Sequence, residues 1–188
     1  MRFVRLGIPG AFRVEIEPLA DDRGFFARTF CTREFAAAGL EHRLAQTSLS
    51  FNPRRGTLRG LHYQAEPHGE AKVVRCVRGA IHDLLADLRP DSPTFRQHLA
   101  LELSADGRTA VYIPTGVAHG FLTLSDDCEV HYAMSELYEP AAARGVRWND
   151  PAFRIVLPEP LRLISERDAG YPDFLPDPSA FPAPPARP

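Results

Sequence analysis

The segment LRGLHYQ, residues 58–64, contains the side chain best suited to acid or base chemistry, the imidazole of His62. Side chains alternate along a strand, so Leu58, Gly60 and His62 are predicted to share one face. Arg59 would then point to the opposite face. Glycine inside a strand often marks a close approach, and Gly60 is predicted to leave space for a ligand beside the imidazole. Considered alone, His62 is more often a core histidine bonded to backbone, because histidine is intermediate in burial.

A second histidine, His119, follows a turn at residues 114–116 and raises the question of a metal site shared with His62. Imidazole is a common protein ligand for transition metals. Metal-binding barrels of the cupin class carry His-x-His with a following Glu and a later His. This chain has Gln64 in place of the second His and no Glu at the expected offset. Two histidines fall short of the three protein ligands usual at a catalytic zinc site, so the sequence predicts a pocket without a metal.

Five further side chains have an ordinary structural interpretation, and two of them, Lys72 and Arg23, also allow a functional one. Lys72 begins an apolar strand and is either a surface lysine at a strand end, the commoner case, or a cation placed where negative charge develops. Tyr132 and Tyr138 are by default core residues whose hydroxyl reaches the surface. Asp168 is by default a solvated carboxylate. Arg23 lies in a turn, where it is either a solvated arginine, the commoner case, or a contact for an anion.

The composition limits the class of partner. The chain has 188 residues, 44% of them hydrophobic, which suits one domain with its own core. A net charge of −2 does not favour nucleic acid or a membrane surface as a partner. Three widely spaced cysteines without a CxxC motif favour neither a disulfide framework nor a cysteine metal site. No signal-peptide pattern or membrane-length apolar run is found, so we expect a cytoplasmic protein.

Short apolar and alternating runs separated by turn signals predict an all-β fold. The predicted strands cover residues 12–16, 25–30, 45–51, 58–64, 72–77, 80–88, 95–103, 109–113, 118–124 and 128–134. The run at 80–88 would tolerate a helix, but the glycine before it and the short spacing of its neighbours favour a strand. One clear helix is predicted at residues 32–39, between an N-cap threonine and a C-cap glycine. The expected architecture is a cupin-type jelly-roll barrel with a few short helices.

The C-terminal third breaks this pattern. Prolines interrupt every long element beyond Tyr138, and residues 161–168 are expected to run back across the barrel. We expect a single domain over residues 1–170. Residues 171–188 are rich in Pro and Ala and are predicted to form an extended or disordered tail.

Several motifs together resemble the dTDP-4-dehydrorhamnose 3,5-epimerase family of deoxysugar biosynthesis. The matching segments are DRGFF (22–26), LRGLHYQ (58–64), KVVR (72–75), DLRPDSPT (87–94), IPTGVAHGF (113–121), VHY (130–132), Tyr138, WNDP (148–151) and SERD (165–168). The resemblance implies a metal-free enzyme without a redox cofactor. It also implies a homodimer with exchanged N-terminal strands, acting on a dTDP-4-keto-6-deoxyhexose at carbons 3 and 5.

The resemblance also assigns catalytic roles. A carbonyl acidifies the flanking C–H bonds, and epimerisation needs a base on one face, a donor on the other and support for the enolate charge. His62 would be the base, and Asp168 would orient its imidazole. Lys72 would lie near the developing enolate oxygen. Tyr132 would return the proton from the opposite face, and His119 would line the pocket.

The substrate contacts follow from the same resemblance. Arg59 and Arg23 would bind the diphosphate, because guanidinium groups match phosphate oxygens. Tyr138 would stack on or flank the nucleotide, with Phe26 reaching across from a partner subunit. Gln46 would contact the substrate from its strand.

Three positions depart from the family pattern and leave alternatives open. Ser48 and Ala133 stand where many members have Asn and Lys, and Arg28 stands where an acidic residue is expected. These positions affect substrate contacts rather than the acid and base residues. An epimerase acting at carbon 3 only, or at carbon 5 only, in an antibiotic pathway therefore remains an alternative. A noncatalytic sugar-nucleotide-binding cupin and a metal-dependent cupin oxygenase are more distant alternatives.

Overall fold

The computed structural model describes residues 1–177 and 180–181 and consists mostly of strands. In chain order the strands are β1 (Arg2–Arg5), β2 (Phe12–Glu15), β3 (Leu19–Asp21), β4 (Gly24–Phe26), β5 (Gln46–Asn52), β6 (Thr57–Gln64), β7 (Lys72–Arg78), β8 (Ala80–Asp87), β9 (His98–Ser104), β10 (Thr109–Ile113), β11 (Val117–Thr123), β12 (Cys128–Met134), β13 (Ala143–Gly145) and β14 (Leu163–Ile164). The helices of this part of the chain are α1 (Thr32–Ala37) and α2 (Glu166–Ala169). The predicted all-β class with few short helices is confirmed.

Two sheets form the body of the protein. The first sheet has the strand order β1-β2-β10-β7-β12-β5, and the second has the order β13-β6-β11-β8-β9. Neighbouring strands within each sheet are antiparallel, whereas β14 runs parallel to β6 beside the second sheet. Strands β3 and β4 form a separate hairpin. The main apolar core lies between the two sheets, and it includes Val74, Val111 and Val130 from the first sheet and Ile81, Leu85 and Phe121 from the second.

Alternation along β10 explains how the first sheet buries both of its faces. Val111 belongs to the core between the sheets, whereas Ala110 and Tyr112 belong to a cluster on the outer face. Phe35 of α1 packs into that outer cluster, with its ring centroid 6.1 Å from that of Tyr112. The sequence-predicted helix is confirmed apart from its last two residues and its N-cap, because Thr32 is the first helical residue and Cys31 is the N-cap residue. Gly39 follows it with a φ of 72°, a left-handed conformation typical of a residue after a helix.

Residues after β13 cover the outer face of the second sheet. Phe153 packs there, and Phe174 lies against it with a centroid distance of 5.2 Å. Phe181 packs against Tyr63 at 5.5 Å. The described part of the predicted tail therefore contacts the barrel, whereas residues 178–179 and 182–188 lie outside the described residues. The division into a domain and a tail at residue 170 stays a prediction.

Strand β6 contains a one-residue bulge at Gly60. His62 pairs with His119 of β11, and Arg59 pairs with Phe121, so three steps along β6 face two steps along β11. Because the extra residue resets the alternation, Arg59 and His62 line the same cavity. The predicted placement of these two side chains on opposite faces is wrong for this reason.

The role predicted for Gly60 also needs correction. Gly60 has a φ of 114°, in the left-handed region that favours glycine. A Cβ atom at this position would stand 2.5 Å from the Cα atom of Gly120 and 2.7 Å from the carbonyl oxygen of His119. The absent side chain therefore makes room for the backbone of β11 and not for a ligand.

Candidate active site

A cavity of about 390 Å³ opens at the residues that the sequence singled out. Its walls come from both sheets, with β5, β7 and β12 on one side and β6 and β11 on the other. The lining residues are Gln46, Ser48, Arg59, His62, Lys72, His119, Gly120, Phe121, Tyr132, Met134 and Tyr138. The structure thus brings together all the predicted site residues except Asp168, which lies behind His62, and the pair Arg23 and Phe26.

His62 and Asp168 form a hydrogen-bonded pair at the cavity. The Nε2 atom of His62 lies 2.7 Å from Oδ1 of Asp168, and the other carboxylate oxygen accepts a hydrogen bond from the amide of Gly60 at 3.0 Å. Burial alone would raise the pKa of Asp168, but the hydrogen bonds from His62 and Gly60 outweigh it and hold the pKa below its ordinary value. Because the ionised carboxylate accepts, Nε2 is the donor of this bond, and in the neutral imidazole Nδ1 then holds the lone pair that can act as a base.

The local sequence explains how Asp168 reaches β6. Strand β14 pairs in parallel with the start of β6, next to Leu58, and directs the chain toward the cavity. Ser165 then caps α2 by accepting a hydrogen bond from the Asp168 amide at 3.1 Å. The expectation that residues 161–168 run back across the barrel is met by this strand and helix.

Lys72 is held at the backbone of His62. Its Nζ atom donates to the carbonyl oxygen of His62 at 3.1 Å and forms an ion pair with Glu70 at 2.9 Å. The side chains of Lys72 and Glu70 are each only 8% exposed. The ammonium group is therefore fixed at the cavity wall, where it can face a developing negative charge.

Tyr132 stands on the wall formed by the first sheet. Burial raises the pKa of its phenol above the ordinary value, although a hydrogen bond with Ser50 partly offsets this effect. The neutral hydroxyl is thus the stable form at neutral pH and is able to donate a proton. Its ring packs edge-on against His119, with centroids 6.0 Å apart.

His119 has a carboxylate partner of its own. Its Nε2 atom lies 2.8 Å from Oδ1 of Asp83, a fully buried residue whose Oδ2 atom has no hydrogen-bond partner among the described residues. Sequence reasoning missed Asp83. The signal was present, because Ile81 and Leu85 are inward residues of β8 and Asp83 falls between them in the same alternation.

Arg59 and Gln46 lie at the mouth of the cavity. The Nε atom of Arg59 donates to Asn52 at 2.6 Å, and the guanidinium group remains exposed. The side-chain oxygen of Gln46 accepts from the amide of Tyr138 at 3.2 Å, which holds this tyrosine at the cavity edge. One cation and one aromatic ring are therefore available at the entrance.

Residues 5–175 match the family model described as dTDP-4-dehydrorhamnose 3,5-epimerase. The chain belongs to this family. A dTDP-4-dehydrorhamnose 3,5-epimerase from Methanothermobacter thermautotrophicus is 42% identical, over 90% of this chain and 92% of that protein. A dTDP-4-dehydrorhamnose 3-epimerase from Streptomyces niveus is 41% identical, over 89% of this chain and 81% of that protein.

Solved structures share the fold of this epimerase family member. The dTDP-4-dehydrorhamnose 3,5-epimerase of Bacillus anthracis, solved with TDP and PPi bound, superimposes with a TM-score of 0.88 at 35% identity. The match covers 92% of this chain and 99% of that one. The predicted resemblance and the cupin-type barrel are thus confirmed, and the protein is an isomerase by family.

Two predicted contacts of this epimerase do not lie at its own cavity. Arg23 and Phe26 belong to the β3–β4 hairpin, where Arg23 pairs with Asp21 and Phe26 is 76% exposed. Arg28, which stands where the family pattern has an acidic residue, forms an ion pair with Glu34 at 2.7 Å. A cavity in one copy of the chain therefore lacks the hairpin residues that the family resemblance implies.

Gln64 has a structural role that the sequence did not indicate. It is buried, and its side chain donates to the carbonyl oxygens of His68 and Leu137 and accepts from the amide of Glu139. These bonds join two loops to β6. Within the described residues, no group of three or more His, Cys, Asp and Glu side chains could hold a metal ion, and no helix is long and apolar enough to cross a membrane.

Proposed function

We propose that the protein epimerises a dTDP-4-keto-6-deoxyhexose at carbons 3 and 5, converting dTDP-4-dehydro-6-deoxy-D-glucose to dTDP-4-dehydro-L-rhamnose. One observation carries this proposal. His62 projects from the second sheet and Tyr132 from the first, so a base and a neutral donor stand on opposite walls of one cavity. Inversion of a carbon centre requires removal of a proton from one face and its return to the other.

The reaction divides among four side chains. Nδ1 of His62 takes the proton from the carbon next to the keto group, and the bonding electrons move onto the carbonyl oxygen as an enolate. Asp168 stabilises the imidazolium that forms, and the ammonium group of Lys72 stabilises the enolate charge. Tyr132 then donates its proton to the opposite face as the carbonyl is restored. Solvent returns the phenol and imidazole to their starting states.

The nucleotide part of the substrate is assigned to the cavity entrance. Arg59 binds the diphosphate, Tyr138 stacks on the nucleotide and Gln46 contacts the substrate beside them. Support comes from their positions at the mouth and from the Bacillus anthracis relative, which was solved with TDP and PPi bound. A guanidinium group can donate two parallel hydrogen bonds to the oxygens of one phosphate group.

A 3-epimerase is the second candidate function. The Streptomyces niveus relative, a dTDP-4-dehydrorhamnose 3-epimerase, is about as similar to this chain as the relatives that act at both centres. Ser48 lines the cavity at the position where Asn is common in the family. The cavity of this chain therefore differs from the common family pattern at a position that can contact the substrate. The number of inverted carbon centres is thus a question for experiment.

We further infer a homodimer in which each β3–β4 hairpin crosses to the partner's cavity. Leu49 and Phe51 on edge strand β5 are 58% and 49% exposed, and Phe26 of the hairpin is 76% exposed. Apolar side chains grouped on one strand are typical of a surface that a partner covers.

A cytoplasmic location is also part of the proposal. Cys31, Cys76 and Cys128 are all free thiols, and the latter two are buried. Unpaired cysteines suit a reducing compartment.

The decisive experiment follows deuterium into the substrate. We expect dTDP-4-keto-6-deoxyglucose in deuterated water to gain deuterium at carbons 3 and 5 in proton NMR spectra when the enzyme is added. Deuterium at carbon 3 alone would support the 3-epimerase. His62→Asn should abolish the exchange, and Asp173→Asn on the surface serves as the matched control. If the wild-type enzyme introduced deuterium at neither carbon 3 nor carbon 5, both candidate functions would be overturned.

A further inference from the structure

Tyr171 lies against the imidazole of His62 from outside the cavity. The two ring centroids are 6.3 Å apart, and the ring planes meet at 70°, an edge-to-face arrangement. Tyr171 is not among the residues that line the cavity. Tyr171 therefore acts on the reaction through other residues, of which His62 is the one that its ring faces.

Two contacts fix the position of the Tyr171 ring. Gly145 of β13 pairs with His62 of β6, and a Cβ atom on Gly145 would stand 2.3 Å from the ring. The ring therefore rests directly on the glycine backbone. Arg167 holds the same end of the side chain, because its Nε atom donates to the Tyr171 hydroxyl at 3.0 Å. Arg167 also forms a hydrogen bond with Tyr138 at the cavity edge.

The need for such a contact follows from the exposure of the base. The His62 side chain is 42% exposed, whereas its partner Asp168 is only 7% exposed. Water that reaches the pair weakens its hydrogen bond by raising the local dielectric constant and by competing for the carboxylate. An imidazole held at one nitrogen can also turn about that bond, which moves Nδ1 away from the substrate proton.

We propose that Tyr171 is a positioning residue for His62, whose ring holds the plane of the imidazole and shields the His62–Asp168 hydrogen bond from water. Gly145 and Arg167 hold that ring in place. The inference rests on the proposed role of His62 as the base. It adds a residue of the C-terminal segment that the composition of residues 171–188 did not indicate.

The first test reads the hydrogen bond directly. An imidazole N–H bonded to a carboxylate and shielded from water gives a resolved low-field proton resonance. We expect two such resonances, one lost in His62→Asn and one lost in His119→Asn. Tyr171→Ala should broaden or remove the His62 resonance and leave the His119 resonance unchanged. Persistence of a sharp His62 resonance in Tyr171→Ala would overturn the proposal, whatever the protein's activity is.

The second test reads the rate. We expect Tyr171→Ala to lower kcat about 10-fold with little change in KM, since the ring contact acts on the base and not on substrate binding. Tyr171→Phe keeps the ring and should retain most of the rate and the His62 resonance. Equal losses in Tyr171→Phe and Tyr171→Ala would overturn the assignment to the ring. Phe181→Ala, which removes another aromatic ring of the same segment, is the control and should leave both readouts unchanged.

A double-mutant cycle separates positioning from general damage to the fold. Gly145→Ala places a methyl group where the Tyr171 ring lies, so it should displace the ring and lower kcat as Tyr171→Ala does. In the Tyr171→Ala background the three atoms nearest to this methyl group are gone, so the substitution should cost little further. Additive losses would overturn the proposal. A wild-type enzyme without epimerase activity would refute the proposed function alone, because the resonance test does not depend on turnover.

Discussion

His62 and Asp168 are 106 positions apart in the chain, yet their side chains meet at 2.7 Å. The contact exists because β14 pairs in parallel with β6, and the Ser165 cap turns the next residues toward the strand. The carboxylate bonds to two positions of that strand, the imidazole of His62 and the amide of Gly60. A distant segment thus sets both the tautomer and the orientation of the base.

Replacement of Asp168 tests the value of this contact. We expect Asp168→Asn to lower kcat about 100- to 10,000-fold, because a neutral amide neither fixes the tautomer nor stabilises the imidazolium. The rate of deuterium entry into the substrate measures the effect. Asp173→Asn changes a surface carboxylate that pairs with Arg147 and is the matched control. An unchanged rate in Asp168→Asn would show that His62 acts without this partner.

A substitution at Tyr132 distinguishes the return of the proton from its removal. Tyr132→Phe keeps the buried ring and loses the donor, so we expect product formation to fall by about 100-fold or more. Deuterium exchange at the face of His62 should fall less, because enolate formation does not need the phenol. Proton NMR follows both processes in one sample. Equal losses in the two rates would place Tyr132 in the removal step instead.

The ion pair of Lys72 with Glu70 predicts non-additive effects on stability. Removing one partner leaves the other charge buried, so we expect Lys72→Met and Glu70→Gln each to lower the free energy of unfolding by about 3 kcal/mol. The double variant leaves no unpaired charge and should be more stable than either single variant. Urea unfolding measures the three values. If the loss of stability in the double variant equalled the sum of the two single losses, the ion pair would not be the cause of those losses.

Asp87 predicts a loss of stability in acid. It is fully buried, and its carboxylate accepts hydrogen bonds from the side chains of Arg89, Ser92 and Thr94 at 2.6–2.8 Å. Burial alone would raise its pKa, but these bonds hold the pKa of Asp87 below the ordinary value. The unfolded chain therefore binds this proton more readily than the folded chain. The contribution of Asp87 to stability is complete above about pH 4 and is lost as pH falls through the folded pKa.

Denaturant unfolding between pH 7 and pH 2.5 checks this dependence. We expect Asp87→Asn to be less stable than the wild type at pH 7 and to lose less of its stability in acid. Asp91→Asn, which changes an exposed acid in the loop after β8, is the control and should follow the wild-type curve. If the free energy of unfolding of Asp87→Asn fell with pH in parallel with that of the wild type, Asp87 would not be the source of the acid sensitivity.

Mixed dimers test whether the hairpin completes the partner's cavity. Arg23→Ala removes a hairpin cation and His62→Asn removes the base, so each variant alone should be inactive. In a mixed dimer, one of the two cavities receives both intact residues. Random mixing should restore about a quarter of the wild-type activity, since about half of the dimers are mixed and each has one intact cavity. No recovery on mixing would show that Arg23 serves its own subunit or none.

Most of the fold was predictable because strand alternation and turn residues act locally. The alternation of Val111 with Tyr112 is visible in the sequence and separates the inner core from the outer cluster. The order of the catalytic motifs along the chain was also visible, and the cavity unites most of them. These features depend on neighbours in sequence or on motifs of known order.

The errors arose where distant backbone segments decide the outcome. Nothing in residues 58–64 alone shows that β11 lies close enough to Gly60 to require a bulge, so Arg59 was assigned to the wrong face. Tyr171 was overlooked because a segment rich in Pro and Ala resembles a tail by composition. Its contact with His62 exists only after β13 has paired with β6.

The bulge in β6 also limits how this site could evolve. Arg59 and His62 share a cavity wall only because one extra residue separates them, so deletion of a residue between them would turn one of the two away from the cavity. Point substitutions can therefore alter the phosphate contact or the base one at a time, whereas changes in length at this position act on both. A lineage that kept either function would thus retain the length of this strand even as its side chains diverged.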